Sequence, residues 1–282
     1  MIKNQKTLKI MRLTMTYVFL AIMVIIALYP IAWMVGASFN PGNSLYSSTL
    51  IPKNPTLKHY RSLMTDEDYP FFKWYWNTLK IAFLTSALGI VLCCFMAYAF
   101  SRFKFPGRKS GLMTMLVVQM FPAFMNMVAL YVLLNMAGLL DSHLGLVLVY
   151  AGTNIPFNAW IMKGYFDTIP KSLEEAALID GASRGTIFWK IMMPLAAPML
   201  AVLTVFHFVI PFGDFILARL LMSTVDKYTL PVGLFTLINE NFGKNWTQFT
   251  AGALLMAIPI AILYLSMQKY FISGLTQGAT KG

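Results

Sequence analysis

Charge is scarce in this sequence. Asp, Glu, Lys and Arg make up only 12% of its 282 residues, against about 25% in an ordinary soluble domain. Acid is scarcer still, with 11 acidic residues against 22 basic ones and a net charge of +11. Cysteine is nearly absent. Cys93 and Cys94 stand side by side in an apolar run, where small buried packing residues are expected rather than a disulfide or a metal site. No G-x-x-x-x-G-K-[ST] phosphate loop occurs, so nucleotide hydrolysis cannot be assigned to this chain. No H-E-x-x-H, G-x-S-x-G or Cys/His ligand set occurs either, so neither an enzyme nor a bound metal is expected. The positive excess is not interleaved with aromatics on a polar domain, so no nucleic-acid partner is expected. It flanks apolar runs, as membrane topology requires.

What is present is apolar. Hydrophobic residues make up 58% of the chain, and they fall into six runs of the length a tilted helix needs to cross a bilayer. The expected spans are Met15–Phe39, Asn77–Phe100, Gly111–Met136, His143–Met162, Ala196–Met222 and Phe249–Phe271. The first run is too long for a cleavable signal and five more follow, so it is read as a retained helix. The architecture expected is all-α and polytopic: a cytoplasmic N-terminus (1–13), a six-helix domain (14–272) and a cytoplasmic tail (273–282).

Lys and Arg set the orientation. With both termini inside, the inside segments 1–13, 101–110, 163–194 and the tail carry fourteen Lys and Arg, and the outside segments carry seven. Two outside loops are long, at about 40–76 and 223–248. The first carries Trp74-Tyr75-Trp76, which suits an interfacial aromatic belt. The second ends in a polar stretch with Asn239, Glu240, Asn241, Asn245 and Trp246.

The longest polar, helix-prone stretch is Lys171–Pro194, KSLEEAALIDGASRGTIFWKIMMP, within the expected inside segment 163–195. Ser172 and Glu175 have capping-box spacing. Glu174, Glu175, Ala176 and Ala177 favour or tolerate helix. Gly181 supplies a left-handed stop. Ser183 caps a second helix with Ile187, Phe188, Ile191 and Met192 as an apolar stripe, Arg184 and Lys190 staying polar. Two small alanines beside two carboxylates make an acidic surface that another protein can approach closely.

Ionisable groups at membrane depth are costly and usually face a bundle interior or an aqueous path. His207 and Asp214 lie in the fifth run, seven residues apart and so on one face of a continuous helix, with Pro211 between them. They are the main candidates to line a path, and a satisfied polar contact between packed helices is the alternative, weighing equally for His207. Gln119, Asn126, Asn154 and Asn158 are further candidates, for which interhelical hydrogen bonding is an equal explanation.

Glu175-Ala176-Ala177, three residues, Gly181, nine residues, Ile191-Met192-Met193-Pro194 resembles the EAA motif of permease subunits of ABC importers, with Met193 where leucine is usual. Tyr98–Arg102 with Phe105-Pro106-Gly107, Gln119–Pro122, Ala129–Tyr131, Trp160–Phe166 and the chain end at Gly274–Gly282 are similar to the carbohydrate class, most of all to the shorter permease of the maltose/maltodextrin system. The resemblance covers nearly all of residues 10–282. It implies a type I importer permease that pairs with a second, different permease. It implies two copies of an ABC ATPase docked on a coupling helix (Glu174, Glu175, Ala176, Ala177, Asp180, Gly181 and Arg184), with ATP and Mg on that partner and no cofactor here. It also implies an extracytoplasmic sugar-binding protein that meets residues 239–248, and a bacterial plasma-membrane location. By position, the tail 273–282 would reach between the ATPases. The coupling motif alone does not choose the solute, so another polar solute is the alternative. A scaffold without a path is disfavoured by Asp214 and the Glu174/Glu175 pair. A secondary transporter is disfavoured by the lack of an internal repeat.

Overall fold

The computed structural model describes residues 2–44, 50–239 and 245–279, and all regular structure among them is helical. In order these are α1 (Ile2–Ser38), α2 (Lys58–Thr65), α3 (Phe71–Arg102), α4 (Arg108–Gln119), α5 (Ala123–Met136), α6 (His143–Thr168), α7 (Lys171–Ile179) and α8 (Arg184–Ile187). A π-helical turn (Phe188–Met192) and α9 (Met193–Leu195) lead to α10 (Ala197–Gly213), followed by α11 (Ile216–Leu221), α12 (Leu230–Asn239) and α13 (Trp246–Ala279). Among the described residues four helices are long and apolar enough to cross a membrane, and the count rises to six if each of the sharply bent pairs α4/α5 and α8–α9/α10 is one span.

The chain divides into two compact units. One comprises residues 1–69 and 234–255. In it, α1 presents apolar side chains outward along its length, as a lipid-facing helix must. Its end is tied to α2. The Tyr60 hydroxyl donates to Ser38 Oγ (2.8 Å), and His59 Nε2 lies 2.8 Å from the Asn40 carbonyl. Asn245 caps α13 in the same unit, its Oδ1 accepting from the Gln248 N–H (3.1 Å). Thr247 Oγ1 donates to the Gly42 carbonyl (2.7 Å).

The other unit, residues 70–233 and 256–282, is built on α3, α6 and α10. Close approach comes from small residues, as in other membrane bundles. A Cβ on Gly89 would lie 2.5 Å from the His207 ring, so only glycine lets α3 and α10 meet there. Cys93, Cys94, Ala97, Ala159 and Ala196 are buried in one cluster with Met162, Phe166, Phe188 and Met192. The cysteines are free thiols that pack as small apolar groups.

Several sequence expectations change here. The third run is two helices bent by 100° rather than one continuous helix. Pro122 lacks the N–H that would continue α4, and Met120–Pro122 turn the chain. The fifth run is also broken. α10 ends at Gly213, Asp214 is extended (φ −96°, ψ 124°), and α11 begins after it. Pro211 removes a donor in the last turn, and the Asp214 carboxylate then caps the next helix. His207 and Asp214 therefore do not share a helical face. The expected loop 223–248 contains α12, whose Leu230, Val232, Leu234 and Leu237 are buried. Trp74 is not a belt residue. It is 1% exposed, donates to the Val225 carbonyl (2.8 Å) and fills the space over Gly233.

Candidate functional site

α6 ends where Pro170 forces Ile169 out of the helical region (φ −77°, ψ 123°), and α7 starts at once. Because α7 begins at Lys171, Ser172 lies inside it and makes no cap, so the expected capping box does not form. The glycine stop does form. Gly181 has φ +81°, the Ala182 N–H donates to the Ala177 carbonyl (2.9 Å), and the Gly181 N–H donates to the Leu178 carbonyl (3.1 Å). This is a Schellman closure, which needs a left-handed residue. Ser183 Oγ then accepts from the Thr186 N–H (3.2 Å) and caps α8.

The two helices are held to the bundle by different chemistry. Ile187, Phe188 and Met192 are buried against α3 and α6, with the Phe188 ring 5.1 Å from both Phe95 and Tyr98. The apolar stripe read from the sequence is the packed face. α7 is held by charge. The Glu174 carboxylate accepts from the Arg102 guanidinium and from the Tyr98 hydroxyl (3.2 Å). Arg102 also donates to the Ile169 carbonyl (2.9 Å) and to Ser101 Oγ (3.0 Å). Ser101 donates to Asp167 (2.6 Å), which pairs with Lys163 (2.6 Å). One arginine thus joins the ends of α3, α6 and α7.

Glu174 is therefore an anchor, 7% exposed, and not part of the acidic surface expected from sequence. Ala177 also packs inward. Arg184 lies over the Phe103 ring, 5.2 Å from its centroid. The outward face consists of Glu175, Ala176 and Asp180 with Leu173, Leu178 and Ile179, the last 87% exposed. The sequence does not single out these three apolar residues, because apolar residues of a short helix usually pack inward.

The path candidates separate. His207 is fully buried; Asn158 Nδ2 donates to its Nε2 (3.0 Å), and Nδ1 has no partner among the described residues. Asp214 accepts from the Tyr150 hydroxyl (2.6 Å) and from the N–H groups of Leu217 and Ala218 (3.3 and 2.9 Å). Both are committed to joining helices. Asn154 and Asn158, with Phe157 and Phe206, line a cleft of about 270 Å³ between α6 and α10. Gln119 donates to the Thr153 carbonyl (3.1 Å).

At the opposite end of this unit, a second lock forms that the sequence did not suggest. Asp141, left-handed at φ 52°, accepts from the N–H groups of Ser223 and Thr224 (2.9 and 3.0 Å), the Thr224 hydroxyl (2.6 Å) and Lys227 (2.9 Å). Partial burial pushes this carboxyl up, but the four bonds more than offset it and hold its pKa well below the usual carboxylate range. Asn77 Nδ2 donates to the Asp226 and Tyr228 carbonyls (2.8 and 3.1 Å), fixing the same loop. Asn239 and Trp246 flank the remaining candidates, and Glu240 and Asn241 lie outside the described residues.

The structure is thus a helical membrane bundle that carries a short charged helix on a salt-bridged mount. Residues 89–277 match the family described as binding-protein-dependent transport system inner membrane component, and the chain belongs to that family. It is 47% identical to the galactooligosaccharides transport system permease protein GanQ of Bacillus subtilis, with 100% of both chains covered. It is 39% identical to the maltodextrin transport system permease protein MdxG of the same organism, over 99% of this chain and 100% of that one. Identity to the maltose/maltodextrin permease MalG of Vibrio vulnificus is 38%, over 90% and 91%. A subunit in the crystal structure of a bacterial ABC transporter that imports the acidic polysaccharide alginate superposes with a TM-score of 0.77 at 27% identity, covering 92% and 95%. The chain is a multi-pass permease with the type I ABC importer fold, and it is not itself an enzyme.

Proposed function

We propose that this chain forms half of the pathway of an oligosaccharide importer, paired with a second, different permease. ATP hydrolysis then belongs to two copies of a separate ABC ATPase, and the sugar arrives on an extracytoplasmic binding protein. The observation that carries the coupling role is the division of labour on α7: Glu174 is locked to Arg102, while Glu175, Ala176, Ile179 and Asp180 face outward. A helix held in this way transmits displacement, because the arginine that holds it also grips α3 and α6. The orientation follows the positive-inside count, with α7 and both termini cytoplasmic. The oligosaccharide class is supported by the galactooligosaccharide and maltodextrin relatives. The Asn154/Asn158 cleft, with amides beside Phe157 and Phe206, is this subunit's contribution to the path, and the stretch 239–248 is the one that would meet the binding protein.

The test is uptake of labelled maltodextrins and galactooligosaccharides into proteoliposomes that hold the chain with its co-purifying subunits and binding protein. Glu175→Lys is expected to abolish uptake and ATPase co-purification together. Normal uptake in this variant would remove α7 from the coupling role.

A further inference from the structure

Beside the α3–α4 connection, a cleft of about 880 Å³ opens between the start of α4 and the end of α6. Four cations line it, Lys104, Arg108, Lys109 and Lys163, and no carboxylate does. Two of the four have other tasks. Arg108 donates to the Phe100 and Ser101 carbonyls (both 2.8 Å), closing the last turn of α3, and Lys163 pairs with Asp167 just outside the cleft. Lys104 and Lys109 are exposed and make no ion pair among the described residues. On the membrane side of this basic rim the wall becomes apolar, with Met113 58% and Trp160 48% exposed.

A cationic rim above an exposed apolar wall, at the end of membrane-spanning helices, has the same polarity profile as a phospholipid. We propose that this cleft holds the headgroup of an anionic phospholipid. The phosphate lies against Lys104 and Lys109, and the acyl chains run along Met113 and Trp160. Free phosphate would make no use of the apolar wall. A zwitterionic lipid brings its own cation to a site that already has an excess of positive charge, so phosphatidylglycerol is favoured over phosphatidylcholine. None of the lining residues belongs to the outward face of α7 or to the Asn154/Asn158 cleft, so the proposal does not depend on the transport reading.

The experiment uses the chain purified in detergent with its co-purifying subunits. Short-chain phosphatidylglycerol, phosphatidylcholine and inorganic phosphate are titrated separately and read by native mass spectrometry. Phosphatidylglycerol is expected to bind the wild type, and to bind K104Q/K109Q about 30-fold more weakly, at roughly fivefold per lysine. K104R/K109R is expected to keep binding, and phosphatidylcholine and phosphate to bind no more tightly to wild type than to K104Q/K109Q. A second readout needs no variant: Lys104 and Lys109 should be protected from acetylation in phosphatidylglycerol nanodiscs relative to phosphatidylcholine ones. Equal phosphatidylglycerol binding by wild type and K104Q/K109Q, equal binding of phosphatidylcholine, saturation by phosphate alone, or equal acetylation in the two nanodiscs would each overturn the assignment.

Discussion

Glu174 and Glu175 are adjacent on α7, yet one is buried and the other exposed. Glu174 is buried against Arg102 and Tyr98, while Glu175 stands in the open with Ala176 and Ile179. The same substitution should therefore do different things at the two sites. Glu174→Ala leaves the Arg102 guanidinium buried without its partner, which costs about 3–5 kcal/mol. Glu175→Ala changes an exposed group and should shift stability by no more than about 0.5 kcal/mol. Thermal melts of the purified chain check the first effect, and ATPase co-purification should fall with Glu175→Ala while the melt stays unchanged.

Gly181 makes a second prediction, about backbone alone. Its φ of +81° is strained for most side chains, yet a Cβ there would touch nothing within 4 Å. Any loss is thus conformational rather than steric. Asn tolerates the left-handed region and Val does not. Gly181→Asn should keep most transport, whereas Gly181→Val should open the α7–α8 corner at a cost of roughly 1–2 kcal/mol or more. Uptake rates of the two variants, compared at equal expression, separate these outcomes.

How much of this was legible in the sequence depended on whether a feature was local. The Gly181 stop, the Ser183 cap and the stripe of Ile187, Phe188 and Met192 are set by neighbours a few residues away, and they were read correctly. The helical class and the four continuous apolar helices followed from composition, whereas the breaks in the third and fifth runs did not. What was missed depends on distant partners. Nothing near Glu174 in sequence announces Arg102, 72 residues earlier, and nothing near Trp74 announces the Val225 carbonyl. The break at Asp214 was missed for a related reason. Pro211 within an apolar run reads equally well as a kink or an end, and the end is decided by Asp214 turning to cap α11.

Gly89 and His207 give a third prediction. The ring sits where a methyl at position 89 would have to be, at 2.5 Å. Gly89→Ala should therefore overpack the α3–α10 contact and lower stability by about 1–3 kcal/mol. Removing the ring by His207→Ala should relieve that clash, so the double variant should be less damaged than the sum of the single ones. A double-mutant cycle on melting temperature measures the coupling. Additive losses would mean that the two helices do not meet there.

The last prediction concerns Asp141 and pH. Its carboxyl is held well below the usual carboxylate range by Thr224, Ser223 and Lys227 against the opposing effect of burial. A group whose folded pKa is depressed stabilises the fold while it is ionised, so its contribution is complete above the unfolded value of about 3.9. That contribution is lost as pH falls from there through the folded value. Asp141→Asn retains a side chain that tolerates the left-handed backbone at φ 52° but cannot carry the charge. Wild type should melt above the variant at neutral pH, and the gap should narrow as pH is lowered through the acid range. The variant should also free the Ser223–Lys227 loop, raising amide exchange there while leaving the Arg102–Glu174 end of the bundle unchanged. A gap that stayed constant with pH would assign the Asp141 lock to shape rather than charge.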